Sequence, residues 1–371
     1  MPRCEFWHRY FSQGCYEAEI EWGEVPGVDW AEGMLYAPGD ELSAWRSRTW
    51  ERTLHHVRRT RARRPVDFVL SYLYPQQIDV QGLSELQRLA GPCVNFFCDN
   101  VREFRRVPDE YRGFALNWVP EFEALPMYRG ANVEHVHAPM PCWIPPELRS
   151  IPGLETEEPT FIGSADRLRR ELIGLAAHAG ARLIVRGEGW AEAVDELPRS
   201  AARRSLRKIL GNQIDHVRAH GLIGMYRKVE QKLWPMTILP PAGASLRPSV
   251  SADEYVRITR EAVVTIGINR VPTAHASHRR PASYSRLRDI EAPMLGACYL
   301  TEWTQGLEHL YDLGAEIESY KTAGEMHAKI SALRADPVRR RRLRERAQRR
   351  ALSEHSVARS LRLIRERLGV D

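Results

Sequence analysis

Lysine is nearly absent from this chain of 371 residues: it occurs only as Lys208, Lys228, Lys232, Lys321 and Lys329, although Lys and Arg together number 54. The positive charge is therefore almost all arginine, a habit of the whole chain that weakens the reading of any single arginine as a contact. A net charge of +6 and a pI near 9.0 suit a phosphorylated small molecule or an anionic membrane surface as well as nucleic acid. Long apolar runs are missing too, since no stretch approaches the ~20 residues of a membrane span. The opening MPRCEFWHRY is too aromatic and too broken for the apolar part of a signal peptide, which points to a cytoplasmic protein. The six cysteines show neither CxxC nor zinc-finger spacing, so no structural metal is expected. Cys93, Cys98 and Cys298 fall in apolar runs as small core residues. There is no short internal repeat.

What is present is an alternation of apolar runs and amphipathic segments. Val66–Leu70 reads as a strand, Val80–Leu89 as a helix with Leu83, Leu86 and Leu89 on one face, and Val94–Cys98 as a strand ending in Asp99 and Asn100. Phe114–Trp118 and Val133–Ala138 add strands around a short helix at Phe122–Tyr128. Strands and helices in this rhythm predict a parallel α/β sheet. Residues 139–159, with repeated prolines and then acids, read as a linker. A second α/β region follows: a strand from Thr160, a helix over Arg167–His178, a strand at Arg182–Arg186 closed by Gly187–Trp190, and a helix over Ala252–Ala262. From Val338 the chain is helical and arginine-rich, with Leu343, Ala347, Leu361, Ile364 and Leu368 as its apolar positions. Residues 1–60 carry Trp7, Trp22, Trp30, Trp45 and Trp50 without strand periodicity, and only 43–64 reads as helix. These tryptophans serve either as packing residues or as an acceptor platform.

The stretch from Thr265 to Thr301 is the densest in chemistry. An apolar strand through Val263–Ile268 runs into a loop with two prolines, two histidines, Arg279 and Arg280. A helix is expected from about Ser283, with Ser283 or Ser285 as its cap, and Arg286, Arg288 and Glu291 inside it. Gly296 ends that helix before the strand at Ala297–Leu300. Strand, basic loop, helix N-terminus and strand make the layout of an anion site at the end of a parallel sheet. Asp99, at the end of a strand in the first half, is placed either as a base at the sheet edge or as a helix cap. His8, His135 and His137 are its rivals.

Residues from about 155 to 365 resemble the C-terminal domain of group 1-type glycosyltransferases with the GT-B fold, and most of all the branch of CgeB-like spore maturation proteins. The resemblance rests on Phe161–Ser164 with Arg170, on Val185–Trp190, on Ile266–Asn269 and on Arg288–Ala292 with Gly296 and Ala297. Leu300–Glu302, Leu313–Tyr320 and His355 complete the order. The first half resembles the family only through Val66–Leu70 and the strand ending at Asp99. The resemblance implies two Rossmann-like domains facing across a cleft, residues 1–145 on the acceptor side and 155–345 on the donor side. A last helix, 346–371, would cross back to the first domain.

It further implies metal-independent transfer of a sugar from a nucleotide donor, with no cofactor beyond that substrate. The acceptor would be a small molecule, a glycan or a lipid-linked hydroxyl. Arg279, Arg280 and Arg288 would meet the pyrophosphate, Glu291 the ribose, and Arg186 with Gly187 the base; Gly163, Arg170, Asn269 and Ser285 complete the donor side. Many relatives carry a sugar-contacting glutamate where this chain has Ser283. A helical insertion at about 198–235 offers, over 199–234, either a cover for the domain or a basic interfacial helix for peripheral membrane contact. The competing readings are a nucleotide-sugar 2-epimerase of the same fold and, last, an arginine-rich nucleic-acid-binding protein. No nucleic-acid partner is expected.

Overall fold

Two separate parallel sheets grow from this alternation. The computed structural model describes residues 5–25, 37–190, 243–273, 275–277 and 279–370; the expected insertion at about 198–235 lies outside these described residues. The chain divides into one unit of Met1–Ile144 with Leu352–Asp371 and a second of Pro145–Ala351. Among the described residues no helix is long and apolar enough to cross a membrane.

The first unit contains α1 (Glu5–Glu17), α2 (Gly39–Arg61), β1 (Val69–Ser71), α3 (Val80–Ala90), β2 (Cys93–Phe96), α4 (Asn100–Glu103), β3 (Leu116–Val119), α5 (Leu125–Ala131) and β4 (His135–His137). Its strands lie in the order β1-β2-β3-β4, all parallel. Asp79 caps α3 by accepting from the Gly82 amide at 2.8 Å. Gly82 leaves room for the Trp50 indole, because a Cβ there would lie 2.8 Å from the ring. That ring is buried against Leu54, Leu83 and Leu86, and its N–H donates to the Gln77 carbonyl at 2.8 Å. Trp50 is thus a core residue. So is the aromatic side of α1: Trp7 packs edge-on to Phe96 with centroids 5.3 Å apart, beside Phe11.

The second unit contains β5 (Thr160–Ile162), α6 (Arg167–His178), β6 (Leu183–Arg186), β7 (Ala244–Arg247), α7 (Ala252–Glu261), β8 (Thr265–Gly267), β9 (Arg270–Val271), β10 (Ala282–Ser283), α8 (Leu287–Met294), β11 (Tyr299–Glu302), α9 (Leu307–Leu310), β12 (Glu318–Tyr320), α10 (Ala323–Ala335) and α11 (Pro337–Glu354). Six strands run parallel in the order β12-β11-β8-β5-β6-β7. The central strands β5, β8 and β11 are buried throughout, as strands covered on both faces are, and they take Thr160, Thr265, Thr301 and Glu302 into the interior with their apolar residues. Phe161, Ile173, Val185, Ile266, Leu300 and Ile330 are among the residues of the core.

The segment read as a linker is pinned to this second unit from Pro145 onward. Arg260 donates to the carbonyls of Leu148 and Ser150 at 2.5 and 2.9 Å. Two arginines of α11 are buried and meet Glu155. Arg340 contacts it at 2.5 Å, and Arg344 at 3.1 Å while also donating to the carbonyls of Arg260, Ala262 and Gly296. Burial works against the charge of Glu155, but the two guanidiniums prevail and hold its carboxyl below the usual range. The last helix, α12 (Val357–Leu368), belongs to the first unit and packs on α1, where Gly14 faces Val357. Arg362 donates to the Glu17 carbonyl at 2.5 Å, a cation at the C-terminus of α1.

Candidate active site

Because the six strands of the second unit are parallel, the loops after β5, β6, β8 and β11 all leave one edge of the sheet. Helix α8 runs from that edge back to the start of β11, so its N-terminus is presented there with those loops.

The loops after β5 and β6 interlock. The Gly163 amide donates to the Arg186 carbonyl at 2.8 Å, Ala165 to Glu188 at 2.8 Å, and the Trp190 indole N–H to the Gly163 carbonyl at 2.7 Å. Arg170 is buried, donates to the Gly189 carbonyl and lies over the Trp190 ring at 5.7 Å. Arg170 therefore builds this loop pair from beneath. The Arg186 side chain pairs with Glu157 at 3.4 Å. Gly187 has φ +139, and a Cβ on it would lie 2.3 Å from the Gly163 carbonyl oxygen. Gly187→Ala should thus cost about 2–3 kcal/mol or more through strain and displacement of the loop. Chemical denaturation checks this, and an unchanged midpoint would contradict it.

Helix α8 starts at Leu287, four residues later than Ser283, because Ala282 and Ser283 pair as β10 with Val271 and Arg270. Neither Ser283 nor Ser285 caps it. The cap is formed by Asp289, whose Oδ2 accepts from the Arg286 amide at 2.8 Å. Asp289 is fully buried; its Oδ1 accepts from Tyr299 and Thr301 at 2.8 and 2.9 Å, and Ser285 bonds it from within the core. Burial raises its pKa against the pull of these bonds. Asn269 is buried as well, and its amide donates to Thr301 Oγ1 at 3.2 Å and to the Glu302 carbonyl at 2.9 Å. Asn269 and Ser285 thus serve the floor of the site through buried partners. Gly267 makes that floor possible, since a Cβ there would lie 2.1 Å from the Tyr299 hydroxyl.

Above the floor, Arg288, Glu291 and Tyr255 come together. The Tyr255 hydroxyl, from α7, donates to Glu291 Oε2, and the Arg288 guanidinium lies over the Tyr255 ring at 5.0 Å. Burial opposes the Arg288 charge, but Tyr255, Tyr299, Glu291 and Asp289 surround it and hold the cation. Its Nη1 is buried and has no hydrogen-bond partner among the described residues. The Ser283 hydroxyl is in the same condition. A donor with a buried N–H left over, at a helix N-terminus, is the chemistry of a site for an anionic oxygen. Arg279 and Arg280, between β9 and β10, are exposed, and the Arg280 amide donates to the Ser277 carbonyl at 3.0 Å. Sequence reasoning missed Tyr255, which no spacing connects to a glutamate 36 residues later.

In the first unit, Asp99 has φ +137, in the left-handed region that disfavours a side chain. It does not cap α4 with its side chain. Its conformation is held by Glu121, a fully buried carboxylate just past β3. Glu121 Oε1 accepts from the amides of Asp99 and Asn100 at 2.6 and 2.7 Å, and Oε2 accepts from Asn100 Nδ2 at 2.7 Å. The Tyr128 hydroxyl completes the network on Asn100 Oδ1 at 2.8 Å. Burial pushes the Glu121 carboxyl up to about 8, with the Asp99 charge adding to it and the hydrogen bonds opposing. Among the rivals, His8 faces Glu24 at 3.1 Å, while His135 and His137 meet the carbonyls of Val133 and Val119 at 2.8 and 3.0 Å.

The chain is similar to solved structures of low identity. HepE from Anabaena, in complex with UDP, aligns with a TM-score of 0.51 and 13% identity over 85% of this chain and 81% of that one. Sucrose-phosphate synthase from Thermosynechococcus elongatus aligns with a TM-score of 0.50 and 15% identity over 90% and 80%. At such identities the likeness concerns the fold, which is that of GT-B glycosyltransferases. No curated protein matches the chain. The family model described as Glycosyl transferase-like matches residues 169–366, more than half of the sequence, and the chain belongs to that family.

Proposed function

We propose that this protein transfers a sugar from a nucleotide-sugar donor to an acceptor hydroxyl without a bound metal. The observation that carries the reading is the unpartnered buried N–H of Arg288, beside Glu291 at the sheet edge where α8 begins. The reaction breaks the bond between the sugar C1 and the diphosphate oxygen, which leaves with the electron pair. Arg288 and the free amides of α8 would stabilise that developing charge, and stabilisation of this kind is often the largest single contribution to catalysis. Arg279 and Arg280 stand on the loop upstream and would close on the same phosphates. Glu291, oriented by Tyr255, would accept from the ribose hydroxyls, and the loops at Gly163 and Gly187 would take the base. Asp99 is our candidate for the base that removes the acceptor proton as the new C1–O bond forms, which holds for an inverting reaction. The acceptor is a small molecule, a glycan or a lipid-linked hydroxyl. Within the family, the run of motifs from Phe161 to His355 supports the CgeB-like branch.

Thermal unfolding with nucleoside diphosphates tests the donor side. UDP is the first choice because the Anabaena neighbour was solved with it. Ligand at about a hundredfold over its dissociation constant adds about 2.7 kcal/mol, a rise of several degrees. The shift should shrink in Arg288→Ala. No shift with any nucleoside diphosphate would sink this reading.

A further inference from the structure

The donor-side residues occupy one edge of the second unit's sheet, and a second basic site lies at the other. The loop before β12 and the start of α11 both fall at the N-terminal edge, because α10 carries the chain back there from the end of β12. Between them is a pocket of about 340 Å³, lined by Gly314 and Ala315 of the loop, Asp336, and Arg339, Arg342 and Arg346 of α11. That volume is at the small end of ligand sites. We propose that this pocket binds a small soluble phosphate ester.

Charge pairing along α11 is the first support. Arg340 and Arg344 are matched by Glu155, Arg341 by Glu345 and Arg339 by Glu318. Arg342 and Arg346, one helical turn apart, make no ion pair among the described residues, and both face the pocket. Like charges at this spacing destabilise a helix by a few tenths of a kcal/mol, a cost that a bound anion removes. The unmatched charge on this helix therefore includes two arginines at a concave surface.

The second support is the chemistry of the lining. Arginine presents a planar fork that can hold two oxygens of one phosphate, and two forks a turn apart can share a dianion. The N-terminus of α11 adds the positive end of its dipole. Asp336 is the one carboxylate lining the pocket, and it is engaged in capping: its Oδ1 accepts from the Arg339 amide at 2.8 Å. Leu343, Ala315 and Val338 give an apolar wall for the organic part of an ester.

The test is calorimetric titration of glycerol 3-phosphate into wild type, Arg342→Gln/Arg346→Gln and Arg288→Ala, with sedimentation on phosphatidylglycerol vesicles alongside. Both replaced arginines are exposed, so the double variant should melt as wild type does. Saturable binding in wild type and Arg288→Ala, weakened tenfold or more in the double variant, is the expected result. Equal binding in all three proteins would overturn the proposal, as would loss of binding in Arg288→Ala alone. Vesicle binding without saturable uptake of the soluble ester would overturn it too and point to a lipid surface. Because Arg288→Ala is compared directly, a failure here is separable from a failure of the donor assignment.

Discussion

Arg288→Ala is expected to lower donor-dependent turnover by about 10²–10³-fold, equivalent to about 2.7–4 kcal/mol of transition-state stabilisation. The size follows from the setting. Arg288 lies over Tyr255 at 5.0 Å, beside Glu291, with one N–H buried and unmatched. A cation held in place before the reaction stabilises charge on the leaving diphosphate without reorganising. Its removal also costs stability, through one cation–π contact worth roughly 0.5–2 kcal/mol and through the lost attraction of Glu291 and Asp289, so turnover is to be compared at a temperature where both proteins are folded. Arg288→Lys keeps the charge and loses the fork, so it should fall between wild type and alanine. Turnover in Arg288→Ala within a factor of three of wild type would remove Arg288 from the donor site.

The second large effect concerns the first unit. Glu121→Ala removes the acceptor of three N–H groups: the amides of Asp99 and Asn100 and one N–H of the Asn100 side chain, whose other bond, to the Phe97 carbonyl, remains. Each buried orphan costs about 1–3 kcal/mol, so a total of about 3 kcal/mol or more is expected. Asp99 would also be released from its left-handed backbone conformation, and activity should fall with it. Glu121→Gln is gentler and isolates the proton. The Glu121 carboxyl is raised from 4.5 to about 8 by burial. Between those values the folded state holds more protons than the unfolded one, so stability is greatest at low pH and is lost as pH rises toward 8. One such group gives a slope of at most about 1.4 kcal/mol per pH unit. Denaturation from pH 5 to 8 should show wild type losing stability relative to Glu121→Gln as pH rises. Parallel profiles would mean that Glu121 is already ionised throughout.

The parallel α/β pattern of both units was legible because buried strands leave mainly apolar runs and their helices leave amphipathic ones. The motif order from Phe161 to His355 likewise carried the family. Other features left weaker signals. Trp7, Tyr10, Phe11, Gly14 and Ala18 recur at helical spacing in and just beyond α1, but so many aromatics in one stretch obscured the period. Helix α8 begins late because two residues are claimed by β10, a pairing with a segment 12 residues upstream that no local propensity reveals. Arg340 and Arg344 read as surface charge in an arginine-rich helix; only the tertiary fold supplies Glu155 and the carbonyls that let them be buried. Glu121 could have been found, since the strand-end logic that selects Asp99 after β2 selects Glu121 after β3.

Incubation of the protein with a panel of nucleotide sugars, with release of nucleoside diphosphate as the readout, tests the central claim most directly. At least one donor should yield nucleoside diphosphate and free or transferred sugar, with Arg288→Ala and Glu291→Ala strongly impaired on that same donor. No release from any donor, or an epimerised sugar nucleotide formed without acceptor, would contradict it.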